Sequence, residues 1–142
     1  MSKKLKQRKK VVNVKSHYND TNKEYPVFCF KYFQNHSIKK CKNVNLFLSF
    51  CERLEKLANL GWEEIGKSLC YAYGFEPIPL TELKCYDSVK KLEIVTKDVK
   101  KLLVFRYTGN NLPFLGLRGR GGSNIFHIIL IETEFGDIYD HE

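Results

Sequence analysis

The stretch that most limits how this chain can fold is its last third, Lys101 to Glu142, where KLLVFRY, LPFLGLR, NIFHIILIE and DIYDH follow one another with turn residues between them. LLVFRYT is β-branched and aromatic with Arg106 as its one charge, and it runs into Gly109-Asn110-Asn111, residues that tolerate positive φ. Leu112 to Arg118 contains Pro113, which cannot donate to a ladder, so a strand here sits at an edge or begins after the proline. Ile125 to Ile131 is apolar on both faces apart from His127, the pattern of a central strand covered on each side. Asp137 to His141 is short enough for a last edge strand or a tail.

Upstream, residues 2–10 hold six basic residues, one leucine and no acid, and residues 1–24 read as a flexible basic arm ahead of a single domain at 25–142. Tyr25 to Phe33, YPVFCFKYF, has the composition of the C-terminal strands and predicts a strand of the same sheet. Asn43 or Asn45 is a natural N-cap. Val44, Phe47, Phe50, Cys51, Leu54, Leu57 and Ala58 then make one apolar helical stripe, and Gly61 suits the positive-φ position that ends it. Trp62, Ile65 and Leu69 mark a shorter helix with Glu63 and Glu64 in its first turn. Glu76-Pro77-Ile78-Pro79 imposes an extended path, as an edge strand or a covering loop, and Thr81 to Val99 has no clear period. The expected fold is α+β: a mostly antiparallel sheet of the N-terminal strand and three or four C-terminal strands, with two helices on one face.

Charge narrows the partners. The chain of 142 residues has 24 Lys and Arg against 16 Asp and Glu, a formal +8. Residues 132–142 contain five carboxylates and no Lys or Arg, which leaves +13 on residues 1–131. Such a field favours phosphate-rich partners by steering and counterion release, although a lysine-rich surface also serves solubility alone. No apolar run approaches the roughly 20 residues of a membrane span, and no apolar stretch follows the N-terminal charges, so the expectation is a cytoplasmic chain without a secretory signal. Five scattered cysteines without a C-x-x-C pair read as reduced thiols.

The common nucleotide, zinc-protease and hydrolase signatures are absent from the sequence, and no His or Cys set has metal-ligand spacing, so no cofactor and no metal are expected. Arg118-Gly119-Arg120-Gly121-Gly122 reads as a glycine hairpin turn whose arginines are able to bind phosphate. His127 reads as a hydrogen-bonded core histidine. Tyr139, Asp140 and His141 lie at a terminus, where a solvated tail is the usual reading, but Ile138 and Tyr139 are unusual in a tail and imply that the end docks on the body.

The order of strand, helix, helix and antiparallel strands over Val27 to Glu142 resembles the small bacterial toxins of the RelE/HigB/ParE superfamily, many of which cleave mRNA on the ribosome. In that family a basic strand, a turn, a second strand and an apolar third strand lead to a terminal segment with a functional Tyr or His. Arg106, Arg118, Arg120 and Tyr139 or His141 stand at corresponding positions here. The resemblance implies a toxin or phage-defence endoribonuclease with RNA or the ribosome as partner. The expected catalytic group is His141, Tyr139 and Arg106, with Arg118 and Arg120 nearby and, together with Lys100, Lys101, Lys9 and Lys10, holding nucleic acid. His141 is the better acid or base, since histidine titrates near neutrality, and neighbouring Asp140 and Glu142 favour an acid role while repelling an anionic substrate. Two other classes stay open: a non-catalytic nucleic-acid-binding protein, and a protein-binding module such as an antitoxin, an inhibitor or a subunit of a larger complex.

Overall fold

The computed structural model describes residues 24–35, 38–70, 72–107, 112–119 and 123–141. Five strands form one mixed sheet in the order β1-β5-β4-β3-β2, with β1 at Val27–Cys29, β2 at Glu76–Pro79, β3 at Lys101–Arg106, β4 at Pro113–Arg118 and β5 at Ile125–Ile131. The pairings β2–β3, β3–β4 and β4–β5 are antiparallel, and β1 lies parallel to β5. Helix α1 spans Val44–Leu60, α2 spans Trp62–Lys67 and a single turn, α3, spans Tyr86–Val89. This is the α+β class that the sequence implies.

Several local outcomes differ from the sequence reading. The first strand keeps three residues, because the chain turns at Lys31 and Tyr32 and the Phe33 N–H bonds the Phe30 carbonyl at 3.1 Å. Phe30 and Phe33 leave the ladder to pack on each other, ring centroids 5.8 Å apart. β4 is internal rather than at an edge, and Pro113 is its first residue, where the missing N–H costs no ladder bond. The edges are β1 and β2, and β2 is the edge-strand alternative of the sequence reading, its Pro77 and Pro79 alternating with the inward-facing Glu76 and Ile78. Asp137 to His141 forms no strand. It is a docked coil, tied by a bond of 2.8 Å from the Lys84 N–H to the Ile138 carbonyl, with Ile138 and Tyr139 buried.

α1 begins as expected: the Asn43 side chain accepts from the Asn45 N–H at 3.0 Å. It ends at Gly61, whose φ of 88° is open to glycine at little steric cost. Phe50 and Leu57 are its buried residues, while Val44 and Cys51, expected in the same stripe, are exposed.

The sheet separates two cores. On the helix side Phe50, Leu57, Trp62 and Ile65 pack against Phe105, Phe114, Phe126 and Ile128. On the other side Leu102, Val104, Leu115, Ile129 and Leu130 lie under Leu80, Leu83, Val89, Val95, Ile138 and Tyr139, which belong mostly to irregular chain. A bulge keeps both faces apolar: where β4 advances from Leu115 to Gly116, β5 advances from Leu130 to Ile128, so Ile129 and Leu130 both serve the second core. Gly116 is required there, since a Cβ would stand 1.9 Å from the His127 carbonyl oxygen.

Candidate functional site

Alternation along β3 puts Arg106 on the same face as Leu102 and Val104, at the strand end farthest from Lys101. β2 supplies Glu76 on that face, and the Arg106 guanidinium pairs with the Glu76 carboxylate. Arg106 Nη1 also donates to Tyr139 Oη at 3.1 Å. Burial raises the Tyr139 pKa, with nearby Arg106 working against that shift, so the phenol stays protonated at neutral pH.

Behind Tyr139 lies Glu132, the residue that leaves β5, with no exposed surface. Its Oε1 accepts from the Gly136 N–H at 3.2 Å and its Oε2 from the Ile138 N–H at 2.8 Å. His141 Nε2 lies 2.5 Å from Oε1. A carboxylate that accepts from two backbone N–H groups accepts from the imidazole too, which places a proton on Nε2 and leaves Nδ1 as the basic nitrogen of the neutral ring. The imidazole sits against Phe135 and Tyr139, with centroids 4.2 Å away in each case. Gly136, at φ 85°, makes the turn that brings this segment back over Glu132. Arg106, Tyr139 and His141, which are far apart or terminal in the chain, thus share one cavity of about 730 Å³ with Glu76, Glu82 and Asp140.

Three carboxylates of this site, Glu76, Glu82 and Glu132, were not among the candidates read from sequence. Glu132 was legible only as an acid directly after the longest apolar run, and Glu76 as an acid before the first proline. Asp140, expected to act on His141, instead pairs with Lys84 at 3.2 Å, and the role of carboxylate partner falls to Glu132. Arg118 does not approach the site. It lies on the helix face, where its guanidinium stacks over the Trp62 ring at 4.1 Å and its Nε donates to the Ser123 carbonyl at 2.7 Å. Side chains alternate along β4, so residues 114, 116 and 118 face the helices while Arg106 faces away from them.

Lys101 starts β3 and is exposed, about 16 Å of strand from Arg106. Lys100 belongs to a different cavity. Arg120, Lys9, Lys10 and Glu142 lie outside the described residues. His127, expected to be hydrogen-bonded in the core, packs edge-on to Tyr32 at 5.7 Å, and its Nδ1 has no hydrogen-bond partner among the described residues. Among the described residues no three His, Cys, Asp or Glu side chains are grouped to hold a metal, and no helix is long and apolar enough to cross a membrane.

Fold and site together define a small α+β protein with a polar cavity lined on one side by its own C-terminal segment. Among known proteins, no family model, no curated sequence and no solved structure matches the chain.

Proposed function

We propose that the chain is an RNA-directed endonuclease, with the cavity around Arg106, Tyr139 and His141 as its active centre. The observation that carries the reading is the convergence of these three side chains, with His141 oriented by a fully buried carboxylate. RNA brings its own nucleophile. His141 Nδ1 takes the proton of a 2′-hydroxyl, the 2′-oxygen attacks the adjacent phosphorus, and the 5′-oxygen leaves with the Tyr139 proton. The products are a 2′,3′-cyclic phosphate and a 5′-hydroxyl. Negative charge that builds on the phosphate is stabilised by the Arg106 guanidinium, for which the phosphate competes with Glu76. Glu132 holds the imidazole in the required tautomer, a positioning role. The overall charge of +8 favours encounter with a polyanion.

The test is cleavage of single-stranded RNA by the purified protein in chelator, with product ends identified by mass spectrometry, alongside growth arrest on expression. His141→Ala and Arg106→Ala should each lower the rate by about 100-fold or more, and a single 2′-deoxy substitution at the cut position should block it. Cutting that survives both His141→Ala and Tyr139→Phe with the fold intact removes the site, and absence of cutting by the wild type removes the activity.

A further inference from the structure

The chain between β2 and β3 is rich in lysine, and the fold gathers Lys90, Lys91, Lys97 and Lys100 around a single cavity of about 490 Å³ in the cover of the aliphatic face. No carboxylate lines this cavity among the described residues. Asp87, which pairs with Lys90 at 3.2 Å, stays outside the lining. All four lysines are exposed, so their positions cost no desolvation; Asp87 partly neutralises Lys90, and the like charges of Lys91, Lys97 and Lys100 on one concavity favour an anion with several charges. Tyr86 contributes an aromatic ring to the wall and Thr81 a hydroxyl.

The Arg106 cavity is different in sign. Glu76, Glu82 and Asp140 line it against one arginine, so it repels a phosphate chain as a whole and cannot itself be the source of affinity. Thr81 lines both cavities, which makes them neighbours along one surface.

We propose that the lysine cavity is the binding site for the backbone of single-stranded RNA, which runs from there across Thr81 toward Arg106. Lysines track phosphates without regard to sequence, and as the Lys90 ammonium, 5.0 Å from the Tyr86 ring centroid, turns to a phosphate, an unpaired base can take its place on that ring, which a base held inside a duplex cannot. The lysine site stands on its own geometry; only the direction of the strand toward Arg106 rests on the nuclease reading.

Binding of a fluorescent 2′-O-methyl RNA of about 12 nucleotides, which cannot be cut through its 2′-oxygen, tests the site apart from any cleavage. Four phosphate contacts give a slope of log affinity against log salt of about −2.8 for a single strand, and the double variant Lys97→Gln/Lys100→Gln should lose about half of it, with roughly tenfold weaker binding at low salt. Duplex RNA of equal length should compete less well. Should the double variant fail to fold, acetylation footprinting of the wild type decides: bound RNA should protect Lys90, Lys91, Lys97 and Lys100. Unchanged affinity and slope in a folded variant, or no protection of these lysines, overturns the proposal. Displacement by poly-glutamate but not by RNA also overturns it and assigns the cavity to an acidic protein. Loss of binding in the variant beside a wild type that never cuts RNA supports the lysine site and removes the nuclease.

Discussion

The two faces of the sheet are built differently. The helix face is an aromatic core in which Phe105, Phe114 and Phe126 meet one another at 5.1 to 6.3 Å and Phe50 approaches Phe114 edge-on at 5.3 Å. The opposite face is aliphatic and is covered by short turns and coil. A helix satisfies its own backbone and can present an unbroken apolar stripe. Irregular chain has to satisfy its backbone one group at a time, as the Lys84 N–H does on Ile138 and the Leu80 N–H does on Lys100. It therefore brings polar side chains inward, Glu132 above all, and it leaves gaps. Both charged cavities open on this face, so the regular cover supplies an unbroken core and the irregular cover supplies the polar concavities.

That contrast breaks first at Phe50. Phe50→Ala removes a ring packed on Phe114, Tyr107 and Phe30, and urea denaturation should show a loss of about 3 to 5 kcal/mol. Its effect on the salt slope of RNA binding should be nil, because the lysines lie across the sheet. A smaller effect belongs to the coil face. Glu132→Gln keeps the shape but weakens the charge-assisted bonds to Gly136, Ile138 and His141, so stability should fall by about 1.5 to 3 kcal/mol. Amide exchange should then accelerate at Gly136 and Ile138 while the helix-face amides stay protected. Equal acceleration on both faces would mean that the two cores do not open independently.

The smallest effect concerns pH. Burial, helped by nearby Lys31, lowers the His127 pKa, so the unfolded chain binds that proton more readily than the folded one. The stability contributed by neutral His127 is complete above the unfolded value of about 6.5 and is lost as pH falls below it. A His127→Gln variant should show a Tm advantage over the wild type that grows as pH drops from 7 toward 5, and a pH-independent difference would sink this assignment.

Within one segment the sequence is informative wherever a side chain's neighbours are a few residues away. The α1 helix with Phe50 and Leu57 inward, its Asn43 cap, the Gly61 stop and the apolar run Ile125–Ile131 are all local patterns, and the structure keeps them, although Val44 and Cys51 of the stripe stay exposed. The fold class follows from those elements. Local pattern fails where distant pairing competes with it: Tyr25 to Phe33 has the composition of a nine-residue strand, yet three residues pair and the aromatics after them turn away to pack. Pro113 pointed to an edge position or to a strand that begins just after it; a strand's place in the sheet depends on which other strands reach it, and here the strand is internal and starts at Pro113 itself.

The site shows the same division. Arg106, Tyr139 and His141 stood out in the sequence as residue types with suitable chemistry, whereas Glu132 and Glu76 did not, because a carboxylate's role depends on what faces it. Arg118, twelve residues after Arg106 and of the same type, lies across the sheet from it. Strand alternation is local, but which face receives the helices and which receives the C-terminal segment is a property of the assembled sheet. Amino-acid order by itself determined the two helices at Val44–Leu60 and Trp62–Lys67, the strands from Lys101 to Ile131 and the basic charge. Only tertiary structure decided that Arg106 would meet both Glu76 and Tyr139 over a buried Glu132, since those contacts join segments whose separation along the chain leaves no periodic trace.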